Sequence, residues 1–346
     1  METQTASDDG AAGLVHTGGV LARIQHGLHR YPTISPLMVL FLSSIVFTIV
    51  GHGNFQKPST IGIMLQQTAV LAAVAIGQTL IILTAGVDLS VGTAMILSHI
   101  VMAKLFIDQG MPTIIALLLG LVVGVVMGAF HGWVVTKIGL PPFIVTLGTF
   151  YIYQSLATLY IQGQTLFPKD ADGETRNLLL WTGRNFKIGS MQITTGVILV
   201  LVMYIVFAFI LSNTAWGQRV YATGDDREAA RLAGIDTKRV LLSVYMVAGL
   251  LYGIGAWVQL GRSGSASTNA ATDVNLESIT AVVIGGTSLF GGRGRLWGTL
   301  VGALIVIVFR LGLKLAEVDV AYQNLTIGML ILVAVALDQW IRRVGK

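Results

Sequence analysis

The feature that most constrains this sequence is its apolar runs, which recur along the chain in blocks near twenty residues long and not as alternating or one-sided faces. A helix of that length crosses the hydrocarbon of a bilayer, about 30 Å thick, and satisfies every backbone polar group within itself, as hydrocarbon demands. The runs lie at 32–50, 61–84, 89–107, 112–135, 141–162, 191–211, 241–260, 276–290, 296–315 and 323–340. Charged residues make up only 11% of the chain, against roughly 25% in a soluble domain. The expected fold is all-α, a polytopic transmembrane helical bundle of about ten spans. An ordinary soluble enzyme is excluded.

An even number of spans places both termini on one side. Residues 1–31 are polar and Gly/Ala-rich, open with no basic leader and cleavage site, and read as a cytoplasmic amino-terminal tail; 32–341 form one transmembrane domain. A cytoplasmic placement of the termini gathers Lys137, Arg219, Arg227, Arg231, Lys238, Arg239, Arg293 and Arg295 inside, together with the terminal Arg23, Arg30, Arg342, Arg343 and Lys346. That is the orientation the positive-inside rule favours. The segment 163–190 then lies outside although it carries Lys169, Arg176, Arg184 and Lys187, and reads either as a plain connector or as a cap or partner-docking loop. The absence of Cys excludes disulfides and thiolate metal sites, and His99 and His131 have no second ligand at metal-binding spacing, so no metal is assigned.

The internal segment 212–240 contains a short helix signal: acids at Asp225, Asp226 and Glu228, alanines in the body, and Gly234 at the end. Ala229, Ala230 and Ala233, with Leu232 and Ile235 beside them, form a small-residue surface suited to a groove on another protein. The alternative is a solvated loop helix.

Two Gly-rich breaks interrupt the apolar runs. In the first, Asp88 and Ser90 lie between Gly86 and Gly92. A carboxylate near membrane depth faces either a watery path or a polar partner. Asp88 is equally well placed to cap the next span by accepting from free N–H groups. In the second, Thr287 and Ser288 lie among Gly285, Gly286, Gly291 and Gly292, and an alignment of the two breaks matches Gly86/Gly286, Leu89/Leu289 and Gly92/Gly292. Paired interruptions of this kind mark transporters with internal pseudo-symmetry, whose broken helices line a cavity. The other use of such glycines is close helix packing, the reading for Gly120, Gly124 and Gly128. Gln78 and Gln154, with Gln66, Gln67, Thr79, Ser155 and Asn324, are candidates to line a path for a hydroxylated solute or to bond helix to helix. Phe150, Tyr151 and Tyr153 flank Gln154, either as stacking faces or as core. Glu277 opens the eighth run, where it stabilises a helix amino end.

No segment matches GxxxxGK[ST], so ATP hydrolysis by a P-loop is not expected of this chain. Acids within the runs are few, Asp88 with Glu277 and Asp338 near run ends, which argues against a proton relay. No nucleophile, base and orienter occur together, so no catalytic residue is assigned. A separate motor docking on the internal loop is the economical account.

The stretches TLIILTAGVDLSVG (79–92), YATGDDREAARLAGID (221–236) and AVVIGGTSLFGGRGRLWGTLVGALI (281–305) together resemble the permease subunits of bacterial ATP-binding-cassette importers for simple sugars, the ribose/xylose/arabinose/fructose type. The similarity covers roughly residues 60–340. It implies a homodimer of permeases in the bacterial inner membrane, an ABC ATPase subunit holding ATP and Mg, an extracytoplasmic sugar-binding protein, and no cofactor on this chain. It implies a coupling helix that presents Glu228, Ala229, Ala230, Arg231 and Gly234 to the ATPase. The cargo it implies is a pentose or hexose, in keeping with the low charge of the spans. A permease of the same fold for nucleosides, autoinducer-type sugars or branched-chain amino acids is an alternative, as is an ion-coupled secondary carrier.

Overall fold

The computed structural model describes residues 34–51, 53–168, 178–271 and 273–342; the expected tail 1–31, the charges from Lys169 to Arg176, and the terminal Arg343 and Lys346 lie outside the described residues. The described chain is a bundle of α-helices with one short hairpin. In order these are α1 (Ile34–Val50), α2 (Pro58–Leu83), α3 (Val91–Gln109), α4 (Thr113–Trp133), α5 (Pro142–Ile161), the hairpin β1 (Asn185–Ile188) and β2 (Met191–Thr194), α6 (Thr195–Asn213), α7 (Ala215–Asp225), α8 (Arg227–Leu232), α9 (Thr237–Ser263), α10 (Val274–Ile284), α11 (Leu296–Leu315) and α12 (Val320–Arg342).

Local sequence sets the ends of these helices. Pro58 and Pro142 open α2 and α5, where the missing N–H costs nothing. Asp236 caps α9 by accepting from Arg239 N–H at 3.1 Å, and Gly110 and Gly264 close α3 and α9 in the left-handed conformation.

Each of the ten apolar runs is represented by a helix, and among the described residues seven helices are long and apolar enough to cross a bilayer. The run 276–290 is a correction in detail. Its helix, α10, has only 11 residues and stops at Ile284, a length of about 16 Å at 1.5 Å per residue. The chain goes on through the non-helical stretch 285–295, because Gly286, Gly291 and Gly292 take left-handed backbone that no helix continues.

α2 is the central element. It packs against α9, α10 and α11, and nearly every residue from Thr68 to Leu83 is buried. A helix apolar all round belongs in such a position. α4 lies along α9 through glycines: a Cβ on Gly128 would overlap the Tyr245 carbonyl, and one on Gly249 would overlap the Gly124 carbonyl. In lipid, where apolar surface gains nothing by meeting other apolar surface, such close backbone approach is the main source of helix association. α5 packs on α3 at one flank, and α1 and α12 pack on α11 and α10 at the other. The hairpin seats on the start of α2, where Gly62 lies against the backbone of Gln192. It marks one end of the bundle, and α8 marks the opposite end.

Candidate functional site

At the α8 end the two Gly-rich breaks meet. Gly292 N–H donates to the Leu83 carbonyl at 3.0 Å, so the second break is hydrogen-bonded to the last turn of α2. Gly224, the penultimate residue of α7, is wedged against the same carbonyl with no room for a Cβ. A Cβ on Gly292 would come within 2.7 Å of Asp225 Cα. The Tyr221 hydroxyl donates to the Gly294 carbonyl at 2.9 Å. The two breaks and the segment leading into α8 thus form one contact.

α8 is built to hold its shape in water. Asp226 caps it by accepting from Glu228 N–H and Ala229 N–H, both at 2.9 Å. Gly234, at φ +84°, closes it, with Ile235 N–H donating back to the Ala230 carbonyl at 3.0 Å. Arg231 chelates Glu228 through Nε at 3.1 Å and a second nitrogen at 2.5 Å, and this guanidinium holds the Glu228 carboxyl below the usual carboxylate range. Only part of the small-residue surface expected from sequence faces outward. Ala230 is 6% exposed and turned into the protein, whereas Leu232 is 77% exposed, with Ala229 and Ala233 exposed beside it. The outward face is therefore Ala229, Leu232 and Ala233, flanked by the Glu228–Arg231 pair.

Asp88 lies midway along α9, fully buried. An uncompensated Asp at the centre of a span costs about 2.5–3.5 kcal/mol on the insertion scale, and here the carboxylate is compensated. One oxygen accepts from the Ser90 N–H at 2.7 Å and the Ser90 hydroxyl at 2.6 Å; the other accepts from the Tyr252 hydroxyl at 3.2 Å. The cap residue of α3 is Ser90, so Asp88 organises the approach to that helix and does not cap it directly. His131 Nδ1 stands 3.9 Å from the second Asp88 oxygen, and its Nε2 meets the Thr149 hydroxyl at 2.7 Å and the Tyr153 hydroxyl at 3.2 Å. Both ring nitrogens of His131 thus face polar groups, two hydroxyls at Nε2 and a carboxylate near Nδ1. Thr146 adds a bond from α5 to the Val87 carbonyl at 3.2 Å. His131, isolated in sequence, thus belongs to a network from α4, α5 and α9 that holds the first break.

The other expected path residues separate. Gln78 is fully buried between its turn-mates Ala75 and Ile82, which pack on Val282, and neither its oxygen nor its nitrogen has a partner among the described residues. The Thr79 hydroxyl joins that of Thr299 on α11 at 2.9 Å. Ser288 takes the Phe290 N–H at 3.1 Å, a turn contact, and Thr287 is buried against Gly294. Gln154 and Ser155 lie on α5 at the flank, with Ser155 and Tyr151 exposed and Tyr153 turned inward to His131; Asn324 is exposed on α12. Those positions do not converge with Asp88. Of the hinge glycines, Gly286, Gly291 and Gly292 need left-handed backbone, Gly92 and Gly285 give room to Asn275 and Gly298, and the first break turns at Ala85 (φ +59°) and not at Gly86.

At the hairpin end the structure gathers residues that sequence reading left scattered. A cavity of about 170 Å³ is lined by Gln67, Gln259, Arg262, Asn269, Asp273, Glu277 and Arg310, with an apolar wall of Val70, Leu71, Val274 and Ile307. Arg310 bridges Asp273 and Glu277, the latter at 2.6 Å. Glu277 is therefore more than a helix-end charge. Arg310, a lone cation in the otherwise apolar run 296–315 until Lys314, is the sequence signal that points here.

Comparison with known proteins bears on this arrangement. Residues 60–335 match the family model described as branched-chain amino acid transport system / permease component. The fructose import permease protein FrcC of Rhizobium meliloti is 44% identical over 98% of this chain and 94% of its own length. The ribose import permease protein RbsC of Bacillus subtilis is 34% identical over 94% of this chain and 95% of its own. The probable ABC transporter permease protein y4mJ of Sinorhizobium fredii is 32% identical over 88% and 86%.

Proposed function

Since the chain belongs to the family of branched-chain amino acid transport system permease components, we propose that it is the membrane gate of an ATP-binding-cassette importer that admits a monosaccharide, driven by ATP hydrolysis on a separate subunit. It is a transporter subunit and not an enzyme. The observation that carries the reading is the joint contact at the α8 end: Gly292 on Leu83, and Gly224–Asp225 against both breaks, immediately before the cap of α8. A push on α8 reaches both breaks at once.

In this reading the ATPase, with its ATP and Mg, grips Ala229, Leu232 and Ala233 from the cytoplasm, and Glu228, Arg231 and Gly234 fix the shape of the helix. A second permease copy completes the transporter, and an extracytoplasmic binding protein delivers the sugar to the hairpin end. Both termini face the cytoplasm. Asp88, with Ser90, holds the first break while the gate works, and Gly285, Gly286, Gly291 and Gly292 form the second.

The fructose and ribose relatives favour a monosaccharide, and the family description keeps a branched-chain amino acid as the second reading. The test is uptake into vesicles containing the chain with its ATPase and binding protein. Labelled fructose or ribose should accumulate only with ATP, and the accumulation should persist under ionophores. Accumulation of leucine instead would assign the cargo to the second reading. Uphill uptake by this chain alone on a proton gradient would remove the importer reading.

A further inference from the structure

The cavity at the hairpin end carries two cations and two acids, Arg262 and Arg310 against Asp273 and Glu277, so its formal charge cancels. Arg310 is already committed to both acids. Arg262, in the last turn of α9, has no ion pair or hydrogen bond among the described residues, and neither do the side chains of Gln67 and Asn269. Gln259 uses one N–H on the Ala270 carbonyl at 3.3 Å. The lining therefore offers free donors from a guanidinium and amides beside carboxylates with lone pairs to spare. A solute with a single net charge would meet side chains of its own sign here as well as of the opposite one. A solute whose hydroxyls both give and accept hydrogen bonds fits every group, and the apolar wall suits the C–H face of its ring. At about 170 Å³ the cavity is smaller than the pockets that take drug-sized ligands, about 300–1,000 Å³, and suits only a small solute.

We propose that this cavity is a receiving site for one neutral monosaccharide, built entirely within a single chain, with Arg262, Gln67 and Asn269 donating to its hydroxyls and Asp273 accepting from them. The proposal rests on the monosaccharide reading above and deepens it. Asp273 and Glu277 begin α10, whose far end runs into the break at Gly285, so the site stands at the head of the half-helix that the α8 contact reaches from the other side. The lining opens to solvent at Arg262, Asn269 and Asp273, which keeps binding weak enough for onward release.

The chain has no Cys, so a single introduced thiol is a specific probe. Asn269→Cys in the intact transporter, in membranes with its ATPase, is alkylated with a membrane-impermeant maleimide in the presence of millimolar fructose, ribose or leucine. Fructose or ribose should slow labelling severalfold, leucine should not, and Lys187→Cys on β1 should be indifferent to all three. Adding Arg262→Gln should abolish the protection. If Asn269→Cys fails to reach the membrane, Gln67→Cys reads the same site. Unchanged labelling under both sugars, or equal protection by leucine, in a transporter that takes up monosaccharide overturns this inference alone. Absence of any monosaccharide uptake by the unaltered transporter overturns the reading beneath it, and the inference with it.

Discussion

Gly292 reaches across the bundle to donate its N–H to Leu83 at 3.0 Å, binding a break late in the chain to one more than 200 residues earlier. The bond is possible because Gly292 adopts φ +68° and has no side chain to strike Asp225. It makes the two breaks a single mechanical unit next to α8.

Gly292→Ala is expected to destabilise the protein by the left-handed penalty, about 1–2 kcal/mol, and further by the clash with Asp225. Gly139→Ala is the control: its φ is +83° and nothing lies within 4 Å of an added Cβ, so only the backbone penalty applies. Thermal unfolding of detergent-purified protein should rank Gly292→Ala well below Gly139→Ala. Equal midpoints would show that the contact at the breaks contributes nothing.

Tyr252→Phe removes one donor from a buried carboxylate. A hydrogen bond to a charged group contributes about 1.5–3 kcal/mol, so a loss in that range is expected. Asp88→Ala should cost more, about 3–5 kcal/mol, because it strands the Ser90 N–H and the Tyr252 hydroxyl in the core. Combined, the two substitutions should cost clearly less than their sum, since they share one bond; a double-mutant cycle of unfolding free energies measures this directly. Strict additivity would mean that the 3.2 Å contact carries no energy.

Leu232→Glu alters a side chain that is 77% exposed, and should leave folded yield unchanged while abolishing ATP-driven uptake. Ala230→Trp behaves in the opposite sense. The sequence places Ala230 on the docking surface, but its side chain faces inward, so the bulk should reduce folded yield before coupling is ever tested. Yield from fluorescence-detected chromatography, read beside uptake, separates the two effects.

Gly249→Val should prevent α9 from seating on α4, because the new Cβ overlaps the Gly124 carbonyl. Overpacking of this kind typically costs about 1–3 kcal/mol, and more where backbone must move. Gly148→Val on α5 has open space and should be tolerated. Similar unfolding midpoints for both variants would remove the close-packing account of the α4–α9 pair.

The helices were legible because twenty-residue apolar runs admit little else in a bilayer, and the caps of α8 were legible because Asp226 and Gly234 are local signals. The partnership of His131 with Asp88 was not, since the two are 43 positions apart and meet only when α4 packs on α9. The Gln154 cluster misled for a related reason: polarity along a helix does not say which face turns inward, and α5 lies at the flank with contacts chiefly to α3. Run 276–290 looked continuous in hydropathy, yet its glycines end the helix at Ile284.

By itself, then, the sequence determined a multi-pass helical protein with two Gly-rich breaks and a capped helix between them, because these follow from segment hydropathy and from the backbone habits of Gly, Pro and Asp. Tertiary structure alone decided that the breaks touch each other beside α8, that Asp88 is satisfied by Tyr252 and Ser90, and that Arg310, Asp273 and Glu277 share one cavity with Gln67. Those are contacts between distant segments, and only the packing of helices on one another fixes which polar groups must share the same low-dielectric space.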